Sequence, residues 1–113
     1  MALSDVWVVA PSWVYGDNVV RADQIRRVGT QTQAPLFVQL YLEDGDTASV
    51  QLGELGERVD PKVRDGLASG LMEAIFEAAA LPGTHRIVVG REDGEISGWQ
   101  RVALAAPTTE TDR

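Results

Sequence analysis

The segment spanning residues 36–52 carries the pattern that most constrains this chain. Aliphatic side chains occupy every second position on both sides of an Asp44-Gly45 pair: Leu36, Val38, Leu40 and Leu42 before it, and Ala48, Val50 and Leu52 after it. Because successive side chains of a strand point to opposite faces, this alternation predicts two half-buried strands. An Asp-Gly pair readily adopts the positive φ values that a tight hairpin turn requires. The segment therefore predicts an antiparallel hairpin with one aliphatic face.

A long helix is predicted over residues 61–80. Asp60 is a favoured N-cap residue, and Pro61 is tolerated at the first helical position. The Pro-Gly pair at positions 82–83 ends the pattern.

The apolar arc of this helix is unusually broad. A helix on one sheet face shows an apolar stripe about 100° wide, and this arc is roughly twice as wide because Met72 and Phe76 extend it. We expect the helix to be covered on two sides, either by a sheet that curls around it or by a second copy of the chain that covers Met72 and Phe76.

Small residues recur every four positions along the same helix, at Gly66, Gly70, Ala74 and Ala78. Each glycine costs about 1 kcal/mol of helix propensity relative to alanine, a cost tolerated where another backbone approaches closely. The pattern predicts close packing of the helix on the sheet or, alternatively, helix-to-helix contact across a dimer.

The remaining chain adds short β-favouring runs and a second hairpin. Runs occur at residues 6–9, 13–15, 19–21 and 25–28, and residues 87–89 are predicted to pair with 96–104 across a turn at 91–95. Together these elements predict an α+β fold, with an antiparallel sheet of about six strands packed on one long helix in the order β-β-β-β-α-β-β. We expect a single domain over residues 1–105 and a disordered tail over 106–113.

Composition excludes several classes of function. The chain has 113 residues, a formal net charge of −7 and no cysteine. Both halves are acidic, so we expect neither the basic face of a duplex-binding domain nor a nucleic-acid partner. The lack of cysteine excludes disulfides, thiol nucleophiles and Cys-ligated metals. The apolar runs are too short for a membrane span, and a signal-peptide pattern is missing, so we expect a cytoplasmic protein without membrane contact.

The titratable residues form no catalytic pattern. The single histidine, His85, has no nucleophile motif near it in the sequence and is interpreted as a loop residue. Glu73 and Glu77 are one helical turn apart, but they occupy the solvent sector of the helix. We therefore expect no enzyme activity, no cofactor and no metal site.

A basic cluster at Arg21, Arg26 and Arg27 has Asp17 and Asp23 within the same stretch. Local ion pairing explains these arginines better than a nucleic-acid surface does.

Aromatic and arginine residues mark a candidate contact surface. Phe37 and Tyr41 lie on the far side of the first hairpin, and Trp99 and Arg101 share one side of the last strand, opposite Ile96, Val102 and Leu104. If both hairpins belong to one sheet, the four residues meet on its outer surface, unless another strand pair folds over them. Such residues are enriched in protein interfaces. Together with Met72 and Phe76 of the helix, these four give the candidate interface or binding residues: Phe37, Tyr41, Met72, Phe76, Trp99 and Arg101.

These features predict a non-enzymatic protein-binding or assembly module that self-associates as a homodimer, with a second copy or another protein as its partner. The alternative is a small-molecule or peptide-binding regulatory protein with an aromatic pocket between sheet and helix, formed by Trp99, Tyr41 and Phe76. A third hypothesis, an enzyme, requires His85 within hydrogen-bond reach of a carboxylate.

Overall fold

Two β-sheets and one α-helix make up the described part of the protein. The computed structural model describes residues 3–11, 18–31, 36–54 and 56–104. The elements in chain order are β1 (Val6–Ala10), β2 (Asn18–Arg21), β3 (Ile25–Gly29), β4 (Phe37–Leu42), β5 (Thr47–Gln51), α1 (Pro61–Ala79), β6 (Thr84–Glu92) and β7 (Glu95–Leu104). Short 3-10 turns at Leu3–Asp5 and Ala22–Gln24 precede β1 and β3.

The strands divide into a four-stranded sheet, in the order β2-β1-β6-β7, and a three-stranded sheet, in the order β3-β4-β5. All neighbours are antiparallel except β1 and β6, which run parallel. The predicted α+β class, the mostly antiparallel pairing and the one long helix are confirmed, with seven strands in the described residues. The strands form two sheets instead of one because β6 pairs with β1 and not with the central hairpin.

Local signals account for the element ends. The Asp60 carboxylate accepts a hydrogen bond from the Lys62 backbone N–H at 2.9 Å and so caps α1, as predicted. Gly45 has a φ of 92° in the first hairpin turn. The second turn is shorter than predicted, since only Asp93 and Gly94 lie between the strands. Their φ values of 54° and 81° fit a type I′ turn.

A β-bulge changes the side-chain alternation of β7. Gly90 pairs with Gly98, but Arg91 pairs with Ile96, so Ser97 is an additional residue on β7. A Cβ atom on Gly90 would lie 3.0 Å from the Ser97 hydroxyl and 3.2 Å from the Gly98 carbonyl oxygen. The absence of a side chain at residue 90 therefore makes room for the bulge.

The core lies between the two sheets and α1. Its largest fully buried side chains are Leu40, Leu52, Leu71, Ile75, Ile87, Val6, Val8, Val38 and Val50. The helix packs against strands of both sheets, and Met72 packs against the core while half-buried. The predicted coverage of the helix from two sides is thus provided largely by the two sheets of the same chain.

The glycines of α1 do not mark a close approach. A Cβ atom on Gly66 or Gly70 would meet nothing within 4 Å. The expected close packing of the sheet on the helix at these two positions was wrong, because the strands meet the helix on another side, through Leu67, Leu71 and Ile75.

Two predicted features lie outside the described residues. These are the β-favouring run at 13–15 and the disordered tail at 106–113.

Arg91 joins the turn of the β6–β7 hairpin to the segment that follows β5. Its guanidinium donates hydrogen bonds to the Leu52 carbonyl at 3.0 Å, to the Gly94 carbonyl at 2.7 Å and to Oε2 of Glu57 at 2.8 Å. The other Glu57 oxygen accepts from the Glu54 N–H at 2.9 Å. The hydrogen bond from Arg91, followed by that from Glu54, lowers the pKa of Glu57 below its ordinary value.

This pKa shift predicts a pH-dependent contribution to stability. A carboxylate whose pKa is lowered by folding stabilises the fold above its unfolded pKa, and the contribution is lost as the pH falls through the folded pKa. Glu57→Gln should therefore reduce the free energy of unfolding near neutral pH, and its difference from wild type should shrink in acid. Urea unfolding at about pH 7 and about pH 3 measures this difference. Glu73→Gln, an exposed position on α1, is the control. A difference that stays constant with pH would contradict the role of this ion pair.

Candidate functional site

One face of the four-stranded sheet is turned away from the core. The buried side chains of β1, β2 and β6, including Val8, Val20 and Ile87, point toward α1 and the other sheet. Alternate positions point the other way. We call this second side the outer face, and its residues are Trp7, Val9, Val19, Arg21, Arg86, Val88, Glu92, Glu95, Gln100, Val102 and Leu104.

The strand register arranges the outer face in rows. One row crosses all four strands through Arg21, Trp7, Arg86 and Val102. The pairs Val19–Val9 and Val88–Gln100 lie one step further along the strands. Trp7 therefore lies between two arginines, and β-branched side chains occupy much of the neighbouring surface.

The outer face exposes large apolar side chains. Val19 is 51% exposed, Val102 is 41% exposed and Leu104 is 36% exposed, while Trp7, Val9 and Val88 are half-buried. Val19 lies on one edge strand, Val102 and Leu104 lie on the other, and the half-buried apolar side chains lie between them. Exposed apolar patches are a feature of contact surfaces, and tryptophan and arginine are among the residue types most enriched at their energetic centres.

The two ends of the outer face carry opposite charges. Arg86 lies near the start of β6, whereas Glu92 ends β6 and pairs with Glu95 at the start of β7. All three side chains are exposed, and none of them forms an ion pair with another described residue. Arg21, in contrast, pairs with Asp23 at 2.7 Å, as the sequence predicted.

Phe37 and Tyr41 lie in the three-stranded sheet, on a different sheet from Trp99 and Arg101. The expectation that these four residues meet on one surface was therefore wrong. The Arg27 guanidinium lies 4.1 Å from the centre of the Tyr41 ring, so this arginine also has a partner within the chain. Around both aromatics the sheet surface is polar, and the Ser49 hydroxyl donates to Gln39 Oε1 at 3.0 Å.

Trp99 and Arg101 lie on the core-facing side of β7. The Trp99 indole N–H donates to the Leu67 carbonyl of α1 at 2.7 Å, and the Arg101 guanidinium lies 3.2 Å from Nδ1 of His85. Val102 belongs instead to the exposed outer face. The predicted grouping of Ile96 with Val102 and Leu104 was wrong, because the bulge at Ser97 brings Ile96 to the same side as Trp99.

The two predicted helix residues lie away from the outer face. Phe76 is 44% exposed on the surface of α1, and Met72 is half-buried against the core. Contact roles for these two residues, as for the other four candidates, stay predictions.

His85 is 3% exposed in β6, and its interpretation as a loop residue was wrong. Its Nε2 atom lies 3.0 Å from the Pro82 carbonyl oxygen, which can only accept, so Nε2 carries the proton. Nδ1 then accepts from Arg101. A carbonyl and a guanidinium thus occupy the two ring nitrogens, and the carboxylate contact that the enzyme hypothesis requires is not formed among the described residues.

A shallow pocket of about 250 Å³ lies between α1 and β7. Its lining consists of Val63, Gly66, Leu67, Ile96, Ser97, Gly98 and Trp99. Of the three aromatic residues predicted to form such a pocket, only Trp99 takes part. The open space at Gly66 and at Gly98 is what leaves this volume unfilled.

The described ranges contain no group of three potential metal ligands. No helix in the part of the chain that the structure describes combines the length and apolar character needed to cross a membrane.

The hydrogen bond of Trp99 predicts a specific cost of substitution. Trp99→Phe keeps an aromatic ring on β7 but leaves the Leu67 carbonyl without its indole donor, so we expect a loss of about 1–2 kcal/mol in the free energy of unfolding. Chemical denaturation measures it. Trp7→Phe is the comparison, since that indole forms no hydrogen bond to a described residue. Equal losses for the two variants would contradict the assigned role of the indole N–H.

No protein-family model, curated protein or solved structure matches this chain.

Proposed function

We propose that the protein is a non-enzymatic assembly module that forms a homodimer through the outer face of its four-stranded sheet. The observation that carries this proposal is the row in which Trp7 lies between Arg21 and Arg86, with the exposed Val19 on the neighbouring strand and the exposed Val102 on the far side of Arg86. Covering these side chains removes apolar area from water, which favours association.

The parallel pairing of β1 with β6 also supports the proposal. Parallel strands are normally buried on both faces, because their crossover connections cover them. In this chain α1 and the three-stranded sheet lie on the core side of β1 and β6, while the outer face keeps exposed valines. A second copy of the chain would supply the missing layer.

The size of the outer face indicates a weak dimer. With strands about 4.8 Å apart and a rise of about 3.3 Å per residue, the four strands cover roughly 450 Å² in projection. Stable interfaces bury about 800 Å² of accessible surface on each partner. Since side-chain relief raises the accessible area above the projected one, we expect association at micromolar concentrations.

The alternative function, binding of a small molecule or peptide, is supported by the pocket beside Trp99. Its volume of about 250 Å³ is below the range of about 300–1,000 Å³ that is usual for ligand pockets, so this function ranks second.

The proposed compartment is the cytoplasm, since a fold stabilised without cysteine has no need of an oxidising environment.

The proposed dimer predicts that polar substitution on the outer face weakens self-association. Val102→Thr keeps the shape of the side chain and its preference for a strand, but it places a polar hydroxyl group within the proposed contact between the two copies. We expect the dimer dissociation constant to rise about tenfold. Sedimentation equilibrium over about 1–100 µM measures it.

Val63→Thr is the matched control. Val63 is 39% exposed on α1, close to the 41% of Val102, but it lies off the outer face and beside the Trp99 pocket. Its dissociation constant should equal that of wild type. A wild-type chain that sediments at 12.2 kDa throughout the concentration range would contradict the proposal.

A further inference from the structure

The outer face has an uneven charge distribution that defines how two copies can meet. Arg86 lies in the row with Trp7, and Glu92 lies six residues further along the same strand, about 20 Å away at the rise of a β-strand. Glu95 pairs with Glu92 across the hairpin, so two carboxylates share the second end. The middle, at Val88 and Gln100, carries no charge.

Two-fold symmetry allows two aligned ways of packing this face against itself. If the symmetry axis runs along the strands, corresponding ends meet, so that the Arg86 end of one copy lies against the Arg86 end of the other and the two Glu92–Glu95 ends lie together. If the axis runs across the strands, opposite ends meet. Like charges brought together in an interface cost several kcal/mol, whereas opposite charges set the orientation of a complex.

We propose that the homodimer is antiparallel, with Arg86 of each copy facing Glu92 and Glu95 of the other. This inference rests on the proposed function, and it adds the orientation of the two copies and the residues that select it. Arg86, Glu92 and Glu95 form no ion pair among the described residues, so each is free to form one across the interface. The uncharged middle of each outer face, at Val88 and Gln100, then packs on that of the other copy.

Reciprocal charge reversal tests this orientation. In the antiparallel dimer, R86E places like charges at both ends of the interface, and so does E92R/E95R. Each variant alone should have a dissociation constant at least about tenfold above that of wild type at low salt. The triple variant R86E/E92R/E95R should recover wild-type association, because both ends of its antiparallel homodimer again join opposite charges, whereas a dimer with corresponding ends together would still join like charges.

The control for net charge is R58E. Arg58 is exposed and precedes α1, away from the outer face, and its reversal changes the net charge by the same amount as R86E. R58E should associate as wild type does. Circular dichroism and urea unfolding of every variant verify that the fold is retained.

Cross-linking supplies a second, independent measurement. The chain has no cysteine, so R86C and E95C each carry a single thiol. Under mild oxidation the antiparallel dimer should give disulfides between R86C and E95C in a mixture, and far fewer within either variant alone.

The outcomes separate the orientation from the function. If wild type dimerises but the triple charge variant fails to recover association, or each cysteine variant cross-links efficiently to itself, the antiparallel arrangement is wrong and the assembly function stands. If wild type is monomeric throughout the concentration range, both proposals fall.

Discussion

The parallel pairing of β1 with β6 is the interaction on which the rest of the structure depends. It joins the start of the chain to the hairpin that follows α1 and makes four strands into one sheet. Both α1 and the three-stranded sheet belong to the connection between β1 and β6, and both pack on the same side. Among the described residues, α1 and the three-stranded sheet cover only one face of this sheet, so the pairing that completes the core leaves side chains of the outer face exposed.

Features defined by nearby residues could be predicted from the sequence. Asp60 and Pro61 start α1 where predicted, and Asp44-Gly45 turns the first hairpin. These signals act through hydrogen bonds and φ values within a few residues, so they can be recognised in the sequence alone. The pairing of Val6 with His85 joins residues far apart in the chain, and no local pattern specifies it. The division into two sheets was missed for that reason.

The candidate site depended on such long-range pairing and on one irregular residue. In β1 the apolar run Val6, Trp7, Val8 and Val9 has no polar alternation, so the sequence does not show which of its side chains face outward. In β7, counting by twos from Ile96 fails at the Ser97 bulge, which reverses the sides of Trp99 and Val102. Gly90 and Gly98 were the available signal, since glycines inside strands often accompany bulges.

The open surroundings of Gly66 and Gly70 have a consequence for the dynamics of α1. Glycine has the largest backbone entropy to lose on folding, and no neighbour within 4 Å of either position compensates for it in contacts. The first half of the helix is held by the Asp60 cap, by the hydrogen bond from the buried Arg64 to the Gln31 carbonyl, and by Leu67 beneath Trp99. We expect local opening to begin in this half, with its backbone amides exchanging with solvent deuterium sooner than those around Leu71 and Ile75.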